Sequence, residues 1–420
     1  MTKASTLTDK GEDIVVLNVK GEEEELEDLE EVIHTFPEGG LRAWTVIVAG
    51  YINSFGVYQD FYVRQYLRNF SPSAIGWIGG VQIFLNFSLG AITGRVFDRG
   101  YSCTILYAIS LFTLSLSHEN SYYQVFLTNG VGLGVASGIS YTASFAITGH
   151  YFIKKRALVV GIVSSGSALG AIIHPIMLNR LINGSVGFHN GVRISAAMNV
   201  FLLAVASCLM RTRLPPKEKQ TFPILQWVRE PAYLALLVGA VFCFTGLFFS
   251  AFYLQLDAIT HGVPKTFAFY GLSILNAASF FGRTVSGYFA SRLGVFNLGA
   301  FFTAGTGVVV LCMIAMKDTT GVILFAVFFG IFSGGCVGLG SSMLANTAKD
   351  ANEVGTRLGV YFGIGGILGL FATPISGALL TTHYHWTRTI IFAGVNMLLA
   401  GGCFFIARHY IAKLKGTQRV

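Results

Sequence analysis

Charge is what this sequence has least of. Asp, Glu, Lys and Arg make up only 12% of its 420 residues, about half the share of a soluble globular protein. So few ionic groups cannot clothe a molecule that meets water on every side, and a soluble globular fold is excluded. Cysteine is scarce too, with six residues: Cys103, Cys208, Cys243, Cys312, Cys336 and Cys403. They form no C-x-x-C pair and most fall in apolar segments, so they read as small packing residues, not as disulfides or metal ligands. No glycine-rich phosphate loop precedes a soluble domain, which removes an ATP-driven pump. No His, Asp or Ser cluster has catalytic spacing, so a membrane-embedded enzyme finds no support and no cofactor is expected.

What is abundant is apolar surface. Hydrophobic residues are 53% of the chain, with 50 glycines and 36 phenylalanines, and the mean hydropathy is +0.61. This composition predicts an all-α polytopic membrane protein, in which small residues let helix backbones approach closely. The formal net charge of +8 does not point to nucleic acid, because the cations are spread along the chain at loop positions. The one dense charge block is acidic, GEEEELEDLEE at residues 21–31. It lies in a polar stretch, 1–36, expected to be a disordered cytoplasmic tail and lacking the apolar core of a signal peptide.

A membrane crossing needs about 20 apolar residues. Twelve segments qualify: 43–62, 74–94, 102–117, 122–149, 157–178, 194–211, 232–256, 266–290, 295–316, 320–345, 355–380 and 387–408. The first is short, with seventeen residues between Arg42 and Asp60, and so is the third. Two short spans also fit a chain that lacks coding segments through its gene model or splicing. A basic, proline-containing stretch separates the sixth and seventh spans. The expected organisation is an N-terminal six-helix bundle (37–212), a linker (213–230), a C-terminal six-helix bundle (231–410) and a tail (411–420). With the N-terminus cytoplasmic, Arg95, Arg99, Lys154, Lys155, Arg156, Arg292, Lys349, Arg357 and the C-terminal cations fall inside, the bias that sets orientation. Both termini are then cytoplasmic. The sequons beginning at Asn69 and Asn183 fall in outer loops and are candidate glycosylation sites.

The two halves echo each other. Gly166, Gly170 and Pro175 of the fifth span recur as Gly365, Gly369 and Pro374 of the eleventh. Gly130, Gly134 and Gly138 recur as Gly330, Gly334 and Gly338, and GRVFDRG at 94–100 recurs loosely as GYFASRLG at 287–294. The offsets are 199, 200 and 193 residues. Three matches in one order point to a duplicated six-helix unit, the build of transporters whose substrate site lies between their halves.

These motifs resemble the major facilitator superfamily, and more narrowly its monocarboxylate transporter-like family, fungal branch. The fifth-helix signature is matched by Tyr151, Phe152, Lys154, Lys155, Arg156, Leu158, Gly161, Gly166, Ser167 and Gly170, with Val159 in place of a small alanine. The signature before the first helix appears as PEGGLRAW (37–44), followed by NSFGVYQ (53–59). Gly94, Asp98 and Arg99 match the superfamily's loop motif; its second copy keeps Gly287, Arg292 and Gly294 but has Ser291 where an acid would stand. The resemblance implies the major facilitator fold of two six-helix bundles. It also implies that Gly94, Asp98, Arg99, Arg156, Gly287 and Arg292 act as a conformational latch.

Arg283 is the foremost site candidate. It lies about seven residues inside the cytoplasmic end of the eighth span, roughly 10 Å deep. A cation there is costly unless it faces a cavity or a partner. Asn276, Ser279 and Arg283 share one helix face, and a buried guanidinium suits a carboxylate. The resemblance implies the same role, since lactate and pyruvate carriers hold a substrate-binding arginine here. Two departures stand against plain proton-coupled lactate transport. Ser279 occupies the position of an aspartate involved in proton coupling, and the first span has no lysine. His174 is a candidate titratable group, or else a packed helix residue with a local hydrogen bond; Asp257 and Asp60 are expected at the outer surface. Gln82, Asn86, Tyr51, Ser54 and Tyr58 are further cavity candidates, each equally suited to a helix-to-helix hydrogen bond.

The resulting expectation is a secondary transporter in the cell membrane that moves a small organic solute by alternating access, in the direction of efflux of a fungal secondary metabolite. A carboxylate is a candidate solute and protons a candidate co-substrate. The alternatives are uptake of a monocarboxylate or vitamin-like compound, and, in another class, a non-transporting solute sensor. A sensor is expected to add a long cytoplasmic signalling tail, and only a dozen residues follow the last span.

Overall fold

Every regular element among the described residues is a helix. The computed structural model describes residues 62, 66–70, 72–89, 100–139, 156–182, 184–209, 223–348, 351–380 and 385–420. The acidic stretch 1–36, nearly all of the first expected span and the positions of Gly94, Asp98 and Arg99 lie outside them.

The described helices are α1 (Pro72–Ser88), α2 (Gly100–Leu114), α3 (Tyr122–Val125, continuing through Phe126–Gly132 to 139), α4 (Arg156–Ile182), α5 (Gly187–Leu209), α6 (Ile224–Val228), α7 (Pro231–Thr260), α8 (Lys265–Leu293), α9 (Val295–Cys312), α10 (Thr319–Ala345), α11 (Ala351–Leu380) and α12 (Trp386–Lys415). Seven of them are long and apolar enough to cross a membrane. At 30 residues, α7, α11 and α12 extend about 45 Å, beyond the ~30 Å hydrocarbon core. By contrast α2 has 15 residues, in keeping with the short third span.

Local chemistry sets several of these ends. Pro231 opens α7 at a position where a missing N–H costs nothing. Asp318 caps α10 by accepting the backbone N–H of Gly321 at 2.7 Å. Gly294 joins α8 to α9 at φ +92°, a conformation disfavoured for residues with a Cβ. The helix α4 runs unbroken through Pro175, as membrane helices tolerate when neighbours re-satisfy the freed carbonyl.

Two boundaries and one helix type differ from the sequence expectation. The end of the linker is folded: α6 lies within 213–230 and buries Trp227. The helix α12 continues to Lys415, so the first half of the expected tail is helical. Inside α3, Phe126–Gly132 adopts π-helical turns, which glycine spacing does not reveal; there buried Asn129 donates to the Tyr62 hydroxyl at 2.8 Å.

Packing follows the glycine ladders. A Cβ added at Gly330, Gly334 or Gly338 of α10 would run into Leu275, Ser279 or Arg283 of α8. Gly130, Gly134 and Gly138 of α3 likewise face Ile78, Gln82 and Asn86 of α1, with Leu85 nearest to the last two glycines. The glycines repeat at an offset of 200 residues and their partners at 197. Between the halves, α4 packs on α8 and α1 packs on α11. A shift of six spans turns the first pairing into the second, a two-fold relation between the crossings.

Candidate functional site

A cavity of about 300 Å³ lies where these crossings meet. Its polar wall comes from α1 (Gln82, Asn86), α4 (Ser164, Ser167), α8 (Asn276, Ser279, Arg283) and α10 (Ser333, Ser341). Its aromatic wall comes from Phe87 of α1, Phe244 and Phe248 of α7, Phe329 of α10, and Tyr361 and Phe362 of α11. The rings interlock across the halves: Phe87 stacks on Phe362 at 5.5 Å and meets Phe244 edge-on at 5.2 Å, the geometries aromatic quadrupoles favour.

Five sequence-derived candidates, Gln82, Asn86, Asn276, Ser279 and Arg283, therefore line one cavity. The repeat explains part of this, since Gln82 and Asn86 sit on the α3 ladder as Ser279 and Arg283 sit on the α10 ladder. The carbonyl oxygens of Gln82 and Asn86 are buried without a hydrogen-bond partner, a costly condition that a donor on a bound solute would relieve. Asn276 is turned partly to its own helix and donates to Leu272 O at 2.9 Å. Tyr51, Ser54 and Tyr58 lie outside the described residues.

Arg283 is engaged. Its Nη1 donates to the backbone oxygen of Ser164 and, at 2.6 Å, to Ser167 Oγ, both on α4. Its guanidinium thus bridges the two halves instead of standing open. The helices can come this near because Gly161 faces the carbonyl of Arg283, 2.6 Å from where a Cβ would sit, and Gly287 faces Ala157 and Leu158 in the same manner. Gly287, expected in the latch, belongs to this crossing. Ser164 escaped the sequence reading, because its contribution is a backbone oxygen.

Other candidates disperse. Arg292 is exposed, and its guanidinium lies 5.3 Å from the ring of Tyr288 on its own helix and donates to that hydroxyl. Arg156 begins α4, its side chain outside the described residues. Asn69 is exposed, as a glycosylation acceptor must be; Asn183 lies outside the described residues. His174 is buried, with Nε2 2.9 Å from Asn199 Nδ2 on the neighbouring helix α5. Asp257, expected at the surface, has a side chain only 1% exposed, 3.2 Å from His261 Nδ1. The same His261 Nδ1 lies 3.0 Å from the Asp257 backbone oxygen.

Arg357, counted by sequence among the inner loop cations, is fully buried. It donates to Glu230 at 2.6 and 3.0 Å and to Glu353 at 3.2 Å. It also lies against the rings of Trp227 and Tyr233, 4.7 and 5.0 Å from their centroids. The cluster fastens α6 and the start of α7 to α11, one turn before cavity residues Tyr361 and Phe362.

A family model described as Major Facilitator Superfamily matches residues 43–361. The chain is 36% identical over 386 residues to the Aspyridones efflux protein apdF of Emericella nidulans, covering 89% of this chain and 79% of that one. It is 35% identical over 375 residues to the Agnestins efflux protein AgnL12 of Paecilomyces divaricatus, covering 87% and 84%. Among solved structures, the human organic anion transporter MFSD10 (TETRAN) superposes with a TM-score of 0.68 at 13% identity, covering 86% of this chain and 99% of that one. FucP in its outward conformation gives 0.64 at 16% identity, covering 88% and 97%. At such identities the structural likeness speaks to the fold alone, while the family match and the fungal relatives settle membership: this chain is a multi-pass membrane transporter, not an enzyme, and belongs to the Major Facilitator Superfamily.

Proposed function

We propose that the protein exports a small, ring-bearing organic metabolite across the plasma membrane by alternating access, with both termini cytoplasmic and two six-helix bundles rocking about the cavity. The observation that carries this reading is the cavity wall, which pairs interlocked aromatic rings with buried, unpartnered amide oxygens at the crossing of the two halves. Rings offer faces for a flat, apolar solute, and the amides offer acceptors for its donors. Relatives named as efflux proteins support the direction. The fifth-helix signature supports a place in the monocarboxylate transporter-like family.

In this reading Arg283 is a switch. An anionic oxygen on the solute replaces Ser164 O and Ser167 Oγ as acceptor and frees α4 from α8. Proton-linked uptake of a monocarboxylate is less well supported, because no Asp or Glu is among the described cavity residues. A strain lacking the protein is expected to retain its metabolite inside the cell, and purified protein in liposomes to move that metabolite down a gradient. Normal secretion together with lost uptake of a carboxylate would reverse the assignment.

A further inference from the structure

Two thiols face each other in the cavity wall. Cys243 of α7 and Cys336 of α10 are both free, both line the cavity and are each 4% exposed. Their sulfurs are 3.8 Å apart. This spacing suits one atom held between the two sulfurs: thiolates bound tetrahedrally at about 2.3 Å to a metal stand about 3.8 Å apart. Thr303 of α9 supports the pair. Its hydroxyl lies 2.7 Å from Gly299 O and 3.2 Å from Cys336 Sγ. Its single proton can turn to the sulfur once Cys336 becomes a thiolate, stabilising the charge.

We propose that Cys243 and Cys336 form a two-thiol chelating site in the cavity wall for a soft, thiophilic metal or metalloid centre. Thiolates select such centres over hard cations. Attachment at two points makes the second bond intramolecular and so outcompetes single thiols. Trivalent arsenic is the natural probe. With phenylarsine oxide, two As–S bonds form and the As=O oxygen leaves as water carrying both thiol protons. Arsenic stays trivalent, and no oxidant is required.

The test uses full-length protein, treated with phenylarsine oxide in the presence of excess 2-mercaptoethanol and read by intact mass. The native protein is expected to retain one arsenical, removable by 2,3-dimercaptopropanol. Cys243→Ser and Cys336→Ser are each expected to lose at least about tenfold in retention, because one attachment remains. Peptide mapping of the native adduct, which needs no variant, should find the segments holding residues 243 and 336 joined through arsenic. The proposal is overturned if the native protein retains no adduct, if both variants retain it, or if the arsenical maps only to other cysteines. None of these readings depends on solute identity or direction, so the site and the export assignment stand or fall separately.

Discussion

In the proposed switch, α4 and an anionic solute compete for Arg283. Its Nη1 donates to both Ser164 and Ser167, and a charge-assisted bond of this kind contributes about 1.5–3 kcal/mol. Replacing Arg283 with alanine is expected to lower flux of an anionic solute in liposomes by at least about tenfold, with protein still present at the membrane. Arg283→Lys should recover only part of it, since an ammonium lacks the planar fork. Unchanged flux in the alanine variant would remove Arg283 from the mechanism. The sequence marked Arg283 because a cation deep in an apolar helix is conspicuous. It could not mark the partners, because Ser164 contributes a backbone oxygen, and any residue type there would supply one.

Among the elements, α10 and α11 make contrasting predictions. Gly334 of α10 abuts the backbone of Ser279, whereas a Cβ at Gly363 of α11 meets nothing within 4 Å. Gly334→Leu should therefore force α8 and α10 apart, costing about 1–3 kcal/mol or more, and reduce the yield of monodisperse protein on size exclusion. Gly363→Ala should be tolerated; equal behaviour of the two variants would contradict the ladder packing. The Arg357 cluster makes a second element-scale prediction. Glu230→Gln leaves a fully buried guanidinium with Glu353 as its remaining carboxylate partner. Because the Glu230 side chain is itself 35% exposed, the expected loss is held to about 1–2 kcal/mol, read as a lower midpoint of thermal unfolding. Adding Arg357→Met to Glu230→Gln should cost less than Arg357→Met costs alone, and strict additivity would show that the pair is not coupled. The spacing of Glu353 and Arg357 hinted at one pair. The approach of Glu230 and Trp227 across more than a hundred residues carried no local signature.

For the whole molecule, the α4–α8 crossing is the point where relative motion of the halves can be stopped. The Cβ position of Gly161 lies 2.6 Å from Arg283 O and that of Gly287 2.9 Å from Ala157 O, so bulk at either position presses α4 and α8 apart. A Gly161→Leu protein is expected to lose transport while still reaching the membrane; full flux would show that close approach at this crossing is not required. Impermeant labelling of cysteines placed at each terminus should react from one side of the membrane only, as an even number of spans requires. Composition, hydropathy and the glycine repeat indicated a polytopic helical protein with two related halves, and the motif resemblance indicated a transporter, because those properties depend on period and spacing along one chain. The bridge from Arg283 to α4, the burial of Arg357, the inward turn of Asp257 and the meeting of Cys243 with Cys336 arise where distant helices touch. Such contacts depend on which faces are brought together, and no local pattern encodes that.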